Sequence, residues 1–189
     1  MAIARIYKQP ARAYLFDRVI QSVQDALGDV AWLDHIFGRS ERLVRMKDGR
    51  KYFTPNVYIG KDDYMSLLPD NTDLGNYCFF VMDEPQTVSV PMGIQNRVKS
   101  PFSLIVWYDL RTVGATDDDR NTEKIKEQVL KAVRRGWIKA GNVTIERIYE
   151  RAENVFNGYS LDEVDNQFLM SPFAGFRLTG EMMIDEECE

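Results

Sequence analysis

Asp48-Gly49 stands between two runs of strand character, Glu41-Arg42-Leu43-Val44-Arg45-Met46 before it and Lys51-Tyr52-Phe53-Thr54 after it. A two-residue connection turns the chain back on itself only if both central residues take positive φ. Glycine does so freely and aspartate at small cost, so a type I′ β-hairpin is expected. That hairpin commits this third of the chain to antiparallel pairing and argues against a string of βαβ units. Pro55 removes a ladder donor from the return strand, which is therefore expected at an edge or a bulge, with Asn56 to Ile59 resuming it.

Two segments carry helical periodicity. Leu15, Phe16, Val19, Ile20, Val23 and Leu27 mark one face of a helix over Tyr14 to Leu27, with Gly28 at the C′ position. Ile125, Val129, Leu130 and Val133 mark a second helix that starts at the Asn121 N-cap, its basic Arg134 and Arg135 falling just before Gly136. The remaining apolar runs are strand-length. Val30 to Phe37 and Val143 to Glu150 read as strands, and so does Phe176 to Ile184. Tyr77 to Met82 reads as a strand covered on both faces, and Ser103 to Arg111 as the strongest strand of all. Lys61 to Asn76 reads as a loop with one helical turn at most, and Arg151 to Asp165 as irregular. Thr87 to Phe102, with Pro91, Gly93 and Pro101, reads as an extended arm or a hairpin. The pattern predicts a single α+β domain over 1–189. It has a mostly antiparallel sheet, two main helices packed on one face, protruding hairpins, an extended loop or arm around 87–102 and an acidic C-terminal tail.

Composition excludes more functions than it selects. The chain has 189 residues, a net charge of −5 and a pI near 5.1, which argues against a protein that lives by gripping phosphate backbones. Cys78 and Cys188 are too few for a disulfide framework and read as free thiols in a reducing compartment. No run approaches the ~18 apolar residues of a membrane span, and the first fourteen residues lack the apolar core of a signal peptide. A soluble, intracellular protein is expected. His35 is the only histidine, so no two-histidine metal site forms, and no nucleophile motif accompanies it. It reads as an ordinary strand residue. Neither a Walker-type nor a dinucleotide-binding glycine loop occurs.

Three clusters invite chemistry and have plainer readings. Asp117-Asp118-Asp119 lacks the spacing of a calcium loop and suits a solvated turn before a helix N-terminus. Asp62-Asp63 and Asp162-Glu163-Val164-Asp165 would need a fixed separation in a cleft to hydrolyse glycosides. Tyr52, Phe53, Tyr58, Tyr77, Phe79, Phe80, Trp107 and Tyr108 are placed as a sheet core rather than as a stacking platform for bases. No enzyme is expected, and no cofactor. Charge is uneven, however. Residues 1–60 carry +4, residues 61–120 carry −5 and residues 121–189 carry −4. Such asymmetry can serve head-to-tail contact between copies.

The segment Gln167-Phe168-Leu169-Met170-Ser171-Pro172-Phe173-Ala174-Gly175-Phe176-Arg177-Leu178-Thr179-Gly180-Glu181 resembles the closing segment of bacteriophage tail-terminator or tail-completion proteins. The layout is similar too: an N-terminal amphipathic helix, an uneven sheet with protruding hairpins, one later helix and a final strand. Ser89 to Pro101 is longer than such proteins usually need, which also admits a neck or connector ring adaptor beneath the portal. A non-viral binding module is the remaining alternative. The resemblance implies a structural virion protein of the tail or neck, present in the host cytoplasm during assembly. It would form a homo-oligomeric ring, a hexamer or dodecamer, that joins the tail tube to the head–tail connector. DNA would pass through the lumen without sequence-specific binding. Interface residues are expected at Asp48, Gly49 and Arg50, at Arg97 and Lys99, and at Glu186 and Glu187.

Overall fold

The computed structural model describes residues 4–8, 12–60, 63–70, 72–89, 97–113, 122–140 and 142–185. In chain order they form β1 (Arg5–Ile6), α1 (Phe16–Leu27), β2 (His35–Lys47), β3 (Arg50–Gly60), β4 (Asp63–Ser66), β5 (Tyr77–Met82), β6 (Thr87–Ser89), β7 (Arg97–Asp109), α2 (Thr122–Ala140), β8 (Asn142–Tyr149), α3 (Ala152–Val155) and β9 (Phe173–Asp185). The strands make one sheet in the order β4-β3-β2-β5-β7-β9-β8. Pairing along this path is antiparallel except between β2 and β5; β1 adds to β2 in parallel, and β6 adds to β7. The fold is α+β.

The central strands are apolar on both faces because two layers cover them. Cys78 and Phe80 of β5, Leu104, Val106 and Tyr108 of β7, and Phe176 and Leu178 of β9 point into a core closed by Val19, Ile20, Val23 and Leu27 of α1 and Val129, Ala132 and Val133 of α2. Tyr77, Phe79, Ile105 and Trp107 point the other way, into a second core closed by Val57, Leu67, Leu68, Val155, Phe156 and Val164. Strands buried on both sides read as continuous apolar runs, as Tyr77 to Met82 does. The two main helices pack on one face, and the segment from α3 to residue 169 covers part of the other.

Several boundaries differ from the expectation. The strand starts at His35, not Val30, and continues through Gly38-Arg39-Ser40 because a register shift between Ile36 and Arg39 absorbs the interruption. Gly28 has φ −57°, right-handed rather than left-handed. α2 runs through Gly136 to Ala140. A Cβ at Gly136 would lie 2.6 Å from Val23 Cα and 3.0 Å from Ser22 O, and Ser22 Oγ donates to Gly136 O at 2.9 Å. This glycine is a point of close helix–helix approach, not a stop. Residues 63–66 form β4 inside the expected loop. Residues 97–102 belong to β7, paired with β9, and among the described residues of the expected arm Thr87–Ser89 forms a short strand antiparallel to the start of β7.

Pro55 and Pro101 both lie inside strands that pair on two sides, contrary to the edge or bulge expected for Pro55. In an antiparallel ladder a residue's N–H and C=O face the same neighbour. Pro55 O accepts from Leu67 N at 2.8 Å, so the missing donor would have faced Leu67 O, and that oxygen instead takes the Tyr77 hydroxyl at 2.9 Å. Pro101 O accepts from Asp83 N at 3.0 Å, where β5 has just ended. Each proline aims its missing N–H at a place where the neighbouring ladder stops.

Candidate interaction surface

β5 is short, and its neighbours are not. Its last residues, Val81 and Met82, pair with Ser103 and Phe102 of β7, and Val81 also pairs with Ser40 of β2. Beyond that level β2 runs on to Lys47 with β3 as its partner, and β7 runs back to Arg97 between β6 and β9. Two ribbons therefore leave the sheet at the same end. At ~3.3 Å per residue the β2–β3 arm extends about 23 Å beyond Ser40. Its tip is the expected two-residue turn, with Asp48 at φ 50°, Gly49 at φ 74° and Lys47 paired with Arg50. The second ribbon carries Val88 and ends on β9 at Asp185, paired with Arg97.

One face of the arm displays Arg42, Val44 and Met46, paired with Pro55, Phe53 and Lys51. Val44 is 53% and Met46 64% exposed, and Val88 on the other ribbon is 67% exposed. The Arg42 guanidinium lies 3.9 Å from the Phe53 ring centroid. Arg45, Arg50 and Lys51 are exposed.

The arm is braced. Ser160 continues the outer edge of β3: its N donates to Phe53 O at 2.9 Å and its Oγ accepts from Phe53 N at 3.0 Å. Glu163 receives Lys47 Nζ at 2.5 Å. The same segment is tied to the sheet through Arg177, which donates to Asn157 O at 3.0 Å, to Ser103 Oγ at 2.9 Å and to Asp83 at 3.4 Å. Ser103 Oγ donates in turn to Asp83 Oδ2 at 2.7 Å. Arg177 and Ser103 are buried, so this network latches the base of the fork. Its charge is satisfied, as a buried guanidinium requires.

The expected interface residues fall into three groups. Asp48, Gly49 and Arg50 form the arm tip. Arg97 and Lys99 open β7 in the second ribbon, where Lys99 pairs with Glu181 at 3.0 Å. Glu186 and Glu187 lie outside the described residues, directly after β9. Register alone thus brings the first two groups, and the point where the acidic tail departs, to one end of the sheet. Val44, Met46 and Val88 were not singled out from sequence. The signal was present, because apolar residues alternating with arginine on a strand flanked by charge have no core to face.

The other candidates within the described residues sit in structural contacts. Among the described residues no three His, Cys, Asp or Glu side chains group as a metal would require. Asp117, Asp118, Asp119 and Asp62 lie outside the described residues. Glu163 is in the brace, and Asp165 caps a 3₁₀ turn by accepting from Gln167 N at 3.1 Å. Cys78 is buried, which pushes its thiol well up and leaves it unreactive. His35 is half-buried and stacked on Tyr7 and Phe37, its Nδ1 3.2 Å from the Tyr7 hydroxyl. Burial lowers its pKa; Asp34 opposes this and Arg5 adds to it. Burial also pushes Tyr108 up to about 12, with Glu150 and Glu123 adding to it. A groove of about 670 Å³ lies between residues 29–32 and α2, lined by Trp32, Gln128 and Arg135, with Trp32 donating to Gln128 at 2.8 Å. A second cavity of about 260 Å³ contains Asp34, Asn76, Asp109 and Arg111. There Asn76 bonds Trp32 O, Thr112 and Asp109 N, and Arg111 is chelated by Asp109, so its polar groups serve one another. Among the described residues no helix is long and apolar enough to cross a membrane. No protein-family model matches the chain, and no curated protein matches it.

Proposed function

We propose that this chain is the subunit of a ring at the tail or neck of a bacteriophage, a tail-terminator or tail-completion protein that joins the tail tube to the head–tail connector. The observation that carries the reading is the fork. Two ribbons leave one end of the sheet, the arm displaying Val44 and Met46 on one face and the second ribbon displaying Val88 on the other, apolar side chains that no core covers. Exposed apolar side chains rimmed by charge are what a protein contact uses. The negative net charge of the chain suits a lumen that lets a duplex slide, since an acidic wall does not hold phosphates. The resemblance of residues 167–181 to the closing segment of tail terminators supplies the viral setting.

Negative-stain imaging together with light scattering tests this. The wild-type protein at high concentration should give annuli of constant diameter. V44E/M46E should give monomers that melt within a few degrees of the wild type, because both side chains are more than half exposed. A wild-type protein that stays monomeric at the highest attainable concentration, with V44E/M46E indistinguishable from it, refutes the proposal.

A further inference from the structure

The two ribbons differ in charge as well as in place. The arm carries Arg42, Arg45, Lys47, Arg50 and Lys51 against Glu41 and Asp48. The second ribbon passes through β9 into Asp185-Glu186-Glu187-Cys188-Glu189, four carboxylates in five residues. The cationic arm is near one margin of the sheet, where only β4 lies beyond β3. The acidic segment departs near the opposite margin, where only β8 lies beyond β9. Both sit at the same end of the strands, so copies set side by side bring the arm of one level with the acidic segment of the next. We infer that the cationic tip of the β2–β3 arm is the docking site for residues 185–189 of an adjacent copy.

Charge complementarity selects this occupant. Arg45, Arg50 and Lys51 are exposed around the arm tip, whereas Lys47 is held by Glu163 and Arg42 lies over Phe53. Placement selects the neighbour over the same chain. At the level of Arg97 to Lys99 the order across the sheet is arm, β6, β7, β9, so β6 and β7 stand between the acidic segment and its own arm. On its other side β9 is less enclosed, because β8 begins opposite Met183. The contact is heterologous: one surface meets a different surface on the next copy, the arrangement that closes into a ring when the rotation allows. The pairing rests on the ring reading and adds to it which surface meets which.

Cys188 supplies a built-in reporter. Under mild oxidation the R50C variant should form disulfides between the introduced thiol and Cys188 of another chain, giving a ladder of covalent dimers and larger species that C188S abolishes. A single chain closed on itself, or no bond at all, overturns the pairing. A second measurement does not depend on assembly. A fluorescent peptide of residues 184–189 should bind the E186K/E187K/E189K protein, and R45E/R50E/K51E added to that protein should weaken binding about ten-fold, three exposed ion pairs being lost. Equal binding by both overturns the pairing. Reversing arm or tail alone should dissolve the oligomer, and reversing both should restore it. If annuli form but neither reversal affects them and R50C does not cross-link, the ring stands and this pairing falls. If the wild type never assembles, the ring reading falls, and the peptide measurement alone decides the affinity of the arm for the segment.

Discussion

Gly136→Ala gives a prediction whose sign separates two readings. On an exposed helix the change would stabilise by ~1 kcal/mol, because alanine is the better helix former. In this fold the new Cβ would lie 2.6 Å from Val23 Cα and 3.0 Å from Ser22 O. Carbon atoms rest comfortably at ~3.5–4.0 Å, so α1 and α2 would have to separate by about 1 Å. Overpacking of this kind costs roughly 1–3 kcal/mol. The separation also stretches the Ser22 Oγ to Gly136 O bond of 2.9 Å, worth about 1 kcal/mol more. Subtracting the propensity gain leaves a net loss of about 1–3 kcal/mol, a melting temperature lower by roughly 2–12 °C for a domain of this size. Urea unfolding monitored by circular dichroism measures it. Val23→Ala should not rescue the variant, since the closest clash is with the Val23 backbone. A melting temperature equal to or above that of the wild type would refute the close-packed helix pair.

Other expectations follow from the polar contacts. Arg177→Met should destabilise by about 1–3 kcal/mol, because Asn157 O loses its partner and Asp83 loses its counter-charge, and limited proteolysis should then cut within residues 157–169 first. Tyr77→Phe should cost about 1 kcal/mol, since it strips Leu67 O of the hydroxyl that stands in for the Pro55 N–H; no loss in urea unfolding would contradict that role. The pKa of His35 is lowered by burial. The unfolded chain therefore takes up its proton first, and the stability contributed by neutral His35 is full above the ordinary histidine range and is lost as pH falls through it. His35→Gln should flatten this part of the stability-versus-pH curve below neutrality, and an unchanged slope would show that His35 is not its source.

What was legible in the sequence is what local chemistry decides. Asp48-Gly49 wrote its own turn because only a positive-φ pair closes a two-residue hairpin. Tyr77 to Met82 showed its double burial by having no polar face. Gly136 misled because a glycine near basic residues looks like a helix end, and only the presence of α1 against it explains its position inside α2. Pro55 and Pro101 misled for a related reason. A proline is hostile to a ladder only where its neighbour still needs a donor, and whether the neighbour has ended is a property of the sheet. Among the candidate interface residues, Asp48 to Arg50 could be placed on a tip, but that Arg97 and Lys99 share its end of the sheet depends on the parallel pairing of β2 with β5. Such pairing joins segments forty residues apart and leaves no local mark.

That parallel pairing, combined with the brevity of β5, is what makes a surface out of two ordinary hairpins. Asp83-Glu84-Pro85 ends β5 with charge and a ring that cannot donate, while β2 and β7 continue on either side. Had β5 run as long as β7, its outer residues would have paired with both neighbours. Ending β5 early instead opens a notch, and the notch exposes buried polar ends that must be satisfied. Asp83, Ser103 and Arg177 do this at its floor, and Arg177 reaches on to Asn157 to hold the segment that braces the arm. One short strand therefore sets both the separation of the ribbons and the stiffness of the more cationic one. A stiff arm loses less conformational entropy on docking than a loose one, so in the proposed ring the buried latch at Arg177 and the exposed face at Val44 and Met46 would serve the same contact. Arg177→Met should accordingly weaken assembly even at a temperature where the subunit remains folded, whereas V44E/M46E should abolish assembly and leave the subunit folded.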